Sequence, residues 1–72
     1  MHTEIQSSEL KGRALAWAVC EVYRMPAIIV NEQVHVEVSE GSWQPFDAEA
    51  MLRSLVIGLG VATVMVPDEI AS

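Results

Sequence analysis

Pro26 separates two incompatible periodicities, and that boundary constrains the fold more than any other position. Before it, apolar residues recur at helical spacing. Ala14, Leu15, Ala18, Val19, Val22 and Met25 fall on one broad face at 100° per residue. After it, Val34-His35-Val36-Glu37-Val38 alternates strictly, with the valines on one side and His35 and Glu37 on the other. A proline disfavours helix in the residue before it, so the helix must stop near Arg24. A chain with both periods in sequence belongs to the α+β class.

The remaining elements follow from local chemistry. Ser7-Ser8-Glu9 reads as a helix start, with a serine hydroxyl free to cap the first turn. Ala27-Ile28-Ile29-Val30 reads as a strand buried on both faces, joined to the alternating strand by a turn at Asn31-Glu32-Gln33. Ser39 to Asp47 reads as a loop punctuated by Gly41 and Pro45. Asp47 is a suitable cap for a second helix from Ala48 to about Leu59, with Glu49 and Arg53 as an i,i+4 pair and Gly60 at the left-handed end. Val61 to Val66 reads as a last strand, ended by Pro67. The expected architecture is a two-layer domain, helix–hairpin–helix–strand, with two helices on a three-stranded sheet and a right-handed crossover into its third strand. At 72 residues the chain is one small domain, 1–72, with 1–7 and 68–72 expected as flexible ends.

Charge narrows the function. Ten acids against four bases give −6, and residues 25–72 hold seven of the acids and only one base, Arg53. Binding a polyanion requires cations that displace counterions, so direct nucleic-acid binding is disfavoured, as is docking on an anionic membrane. The longest apolar run, Leu55 to Val66, is interrupted by glycines and a threonine and falls short of the roughly twenty residues a bilayer requires. Cys20 is the single cysteine, so no internal disulfide exists, and the opening lacks a signal-peptide pattern. These features point to the cytoplasm.

The stretch Ser8-Glu9-Leu10-Lys11-Gly12-Arg13-Ala14-Leu15-Ala16-Trp17-Ala18-Val19 resembles the opening of the phage NinX-like family of small proteins of unknown function. Ala50-Met51-Leu52-Arg53, running through Gly60 to Val66-Pro67-Asp68-Glu69-Ile70, is similar to that family's end. Together the two segments cover a little over half the chain. The middle departs from the pattern: Ser39–Gln44 stands where family members carry a longer polar segment. The resemblance implies a phage or prophage accessory protein made in a bacterial host, with no known reaction and no catalytic residues to carry over.

No nucleophile–base pair, metal-ligand spacing or phosphate loop stands out, so the expectation is a protein that is not an enzyme and has no cofactor or metal. Cys20 sits mid-helix among apolar neighbours, a setting for a buried thiol. Gly58-Leu59-Gly60 lies at a helix C-terminus, the wrong end of the dipole for an anion. The candidate interaction surface is Arg13, Trp17, Arg24 and Trp43. Trp17 lies opposite the main apolar face, with Arg13 four residues before it. It is either an exposed anchor held by an Arg–aromatic contact, or packed on a neighbouring segment with its indole N–H bonded to a backbone carbonyl. Trp43, with Phe46 across Pro45, either binds a partner or folds back over the core. The expected function is protein–protein contact, modulating a host or defence protein. The alternative is a homodimer that completes its core across a two-fold axis.

Overall fold

The computed structural model describes residues 1–71 and has the α+β composition expected, with two helices, a three-stranded antiparallel sheet and a further strand pair. The elements in order are β1 (His2–Gln6), a 3-10 turn (Ser7–Glu9), α1 (Gly12–Val22), β2 (Ala27–Val30), β3 (Gln33–Ser39), β4 (Ser42–Pro45), α2 (Leu52–Gly58), β5 (Thr63–Pro67) and a second 3-10 turn (Asp68–Ile70).

The three-stranded sheet is the meander β2-β3-β4, not the expected hairpin plus final strand. Residues 42–45, read as loop, form its third strand, with Glu37 opposite Trp43 and His35 opposite Pro45. Gly41, at φ +77, supplies the left-handed residue that this tight reversal requires. The β2–β3 turn is tighter than expected. Asn31 and Glu32 alone make it, both at positive φ (51° and 63°), the geometry of a two-residue hairpin turn whose twist matches the strands. Gln33 already belongs to β3, paired with Val30.

β5 does not cross over into this sheet. It pairs antiparallel with β1, from His2 opposite Pro67 to Gln6 opposite Thr63. Most of the two ends expected to be flexible is therefore built into the fold, and Ser72 lies outside the described residues. Residues 2–6 are strand, and the Asp68–Ile70 turn places Ile70 fully inside the core. Ser7 closes the ribbon. Its backbone N–H donates to the Ala62 carbonyl at 2.9 Å and its hydroxyl donates to the Val61 carbonyl. This explains why Ser7 and Ser8 do not cap the helix: the Ser7 side chain serves the C-terminal half of the chain. Lys11 is extended (φ −157°) and Gly12 is left-handed (φ +56°), so α1 begins only at that break.

α1 supplies more of the core than any other element, through Ala14, Leu15, Ala16, Ala18, Val19 and Cys20. It touches β3, β5 and α2, so it is the element that joins the meander to the ribbon. Leu10, Val34, Val36, Val56, Val64, Val66 and Ile70 complete the buried cluster. α2 is shorter than expected. Residues 48–51 lie outside it, Asp47 caps nothing, and Arg53 turns from Glu49 to donate to the Leu10 carbonyl at 3.2 Å. Gly60 does adopt the left-handed conformation (φ +80°) just past the helix end.

Candidate interaction surface

The four residues singled out in the sequence do not form one surface. Arg13, at the start of α1, donates to the Glu32 carbonyl at 2.9 Å and faces the Glu32 carboxylate at 3.7 Å. It pins the helix to the hairpin turn instead of lying on Trp17. Trp17 is half-buried, packs on the core and donates its indole N–H to the Met65 carbonyl of β5 at 3.3 Å. Of its two readings, the packed one describes the structure. Trp43 stands on the outer face of the meander beside Glu37, away from the core cluster, whereas Phe46 folds back against that core. Arg24 is exposed, left-handed (φ 56°), and without a side-chain bond among the described residues.

The titratable groups offer little chemistry. Cys20 is buried, and burial pushes its thiol pKa up, with the adjacent Glu21 charge adding to the shift. That is the opposite of what an attacking thiolate requires. His35 is half-buried on the outer face between Ile28 and Pro45, with Nδ1 3.1 Å from the Gln33 carbonyl. Among the described residues no group of three or more His, Cys, Asp or Glu is placed to hold a metal ion, and no helix is long and apolar enough to cross a membrane. Two open clefts are present. One runs between Gln6, Ser7, Ile57 and Thr63, the other between Ile5, Glu9, Lys11 and Ala71. Neither brings a nucleophile to a base.

The distinctive surface lies elsewhere. Met51 is 70% exposed, Leu55 47% and Leu59 57%. At four-residue spacing they share one side of α2 and its flanks, while Val56 on the same helix is fully buried. Met65 on β5 and Ile57 are exposed as well. From Ala50 to Pro67 the chain carries one charge, Arg53. The sequence did carry a signal for this surface. Met51, Leu52, Leu55, Val56 and Leu59 make a broad apolar face and Ile57 lies apart from it, more apolar surface than one buried side takes up. The chain matches no protein-family model, no curated protein and no solved structure.

Proposed function

We propose that this chain is a phage or prophage accessory protein that acts by protein–protein contact in the bacterial cytoplasm, without catalysis, and modulates a host or defence protein. One observation carries the contact reading: Met51, Leu55 and Leu59 form an exposed apolar row on a nearly uncharged segment of a chain whose net charge is −6. Contiguous apolar surface of this kind marks an interaction site, because exposing it to water is unfavourable. The phage context rests on the sequence resemblance of residues 8–19 and 50–70.

The test is affinity capture from host cells with wild type and with Leu55→Glu and Leu59→Glu, which alter exposed positions and are expected to keep the circular dichroism of the fold. A stoichiometric partner captured by wild type and lost by both variants is the expected result. Capture that ignores both variants, or no stoichiometric partner at all, overturns this surface. The second reading, a homo-oligomer, is favoured by a different feature, the open edge of β2.

A further inference from the structure

We propose that β2 is a self-pairing edge, through which two copies join antiparallel about a two-fold axis at Ile28 to make one six-stranded sheet. This rests on the homo-oligomer reading and deepens it by naming the edge, the register and the occupant.

The hairpin turn determines which backbone groups are free. With Asn31-Glu32 as a two-residue turn, the Val30–Gln33 and Ile28–His35 pairs exchange the ladder bonds, and the Glu37 N–H donating to the Pro26 carbonyl at 3.4 Å continues the same alternation. The N–H and C=O of Ala27 and Ile29 therefore point away from β3. Neither residue has another backbone partner among the described residues.

The other edges are guarded in the ways that prevent strand addition. β4 carries Pro45 and pairs with β3 across an irregular register at Glu37–Ser39. β1 carries Glu4, which self-pairing would set near its own copy. The free side of β5 is occupied at Met65, where the Trp17 indole bonds the carbonyl. β2 has no such guard. From Met25 to Val30 the chain has no charge, and Ile28 and Val30 are exposed on the outer face.

The occupant follows from register and charge. Pairing Ala27 with Ile29 of a second copy, and Ile29 with its Ala27, lets both outward-facing pairs exchange both of their hydrogen bonds. Ile28 then lies opposite Ile28 of the second copy on the outer face. Arg24 and Glu32 each lie four residues from Ile28, on opposite sides. The two-fold therefore sets the chain end that carries Arg24 in each copy beside the hairpin turn that carries Glu32 in the other. Arg24 has no ionic partner of its own, and Glu32 is 72% exposed, with only an open contact to Arg13. A foreign strand would satisfy the backbone but has no reason to supply this reciprocal charge exchange.

Sedimentation equilibrium from about 1 to about 100 µM is expected to show a monomer–dimer equilibrium, since this range brackets micromolar association. Ile28→Lys, which sets two ammonium groups face to face, is expected to weaken it at least about tenfold. Arg24→Glu should weaken it too, and Arg24→Glu with Glu32→Arg should restore it. Ile28→Cys should cross-link under mild oxidation, because residues directly opposite at a non-hydrogen-bonded position suit a disulfide, while Val30→Cys and the wild type, whose Cys20 is buried, should not. A wild-type monomer at every concentration overturns this proposal and the homo-oligomer reading together. A dimer insensitive to Ile28→Lys and to the charge exchange, with no Ile28→Cys cross-link, overturns the β2 pairing and leaves an oligomer joined elsewhere. A monomer that loses a captured foreign protein on Ile28→Lys assigns the edge to that protein and overturns self-pairing. Circular dichroism of each variant separates loss of fold from loss of pairing, and Arg24→Glu lies outside the strands and the core.

Discussion

The meander and the ribbon are both antiparallel sheets built around α1, yet they are joined in opposite ways. In the meander, β2, β3 and β4 follow one another through turns of two residues, Asn31-Glu32 and Glu40-Gly41. In the ribbon, β1 meets β5 only after the whole intervening chain has been laid down. Closing the 56-residue separation between Gln6 and Thr63 costs on the order of 3 kcal/mol more chain entropy than closing a turn. The ribbon must recover that from packing, through Val64, Val66, Ile70 and the half-buried Ile5. The meander is held mainly by local geometry, the ribbon mainly by burial.

Deleting residues 1–6 is expected to have the largest effect. It removes the strand partner of β5 and uncovers Val64 and Val66, so cooperative thermal unfolding should disappear. A sharp melting transition in the truncated chain would mean that the meander and α1 fold without the ribbon. Next is Ile70→Ala. It empties a fully buried site in the Asp68–Ile70 turn and should cost about 2–5 kcal/mol in urea unfolding. A loss well below 1 kcal/mol would show that this turn does not contribute to the core. The smallest effect is expected on the meander side. Glu32 is left-handed (φ 63°), a conformation that costs a non-glycine residue about 1–2 kcal/mol. Glu32→Gly relieves that cost and loses the exposed pair with Arg13, worth about 0–1 kcal/mol. Its melting temperature should rise slightly or stay level, and a clear fall would show the Arg13 contact to be stronger than its exposure suggests.

The same contrast decides what was legible in the sequence. β2 and β3 announced themselves through β-branched residues and strict alternation, and α1 through its apolar face. β4 did not, because Ser42-Trp43-Gln44-Pro45 has neither alternation nor enough β-branched residues, and its pairing comes from β3 beside it. β1 did not either. His2-Thr3-Glu4-Ile5-Gln6 is a polar segment, and only register against Val64 and Val66 makes it a strand. Of the candidate surface, Trp17 was correctly placed on the side of α1 away from the main apolar face. That side turned out to be covered by β5, a neighbour that local pattern does not reveal. Arg13 was drawn off by a turn residue nineteen positions away. The exposed row on α2 was visible as residues but not as a surface, because exposure depends on what the rest of the chain leaves uncovered.

The long-range ribbon also bears on how the protein is made. A ribosome releases β1 first and β5 about sixty residues later, an interval of about 3–12 s at 5–20 residues per second. Throughout it α1 lacks the strand that will cover Trp17, and the buried cluster lacks Val64, Val66 and Ile70. The core can close only after Ile70 has emerged from the exit tunnel. For several seconds each nascent chain carries unburied apolar residues that a holding chaperone would recognise.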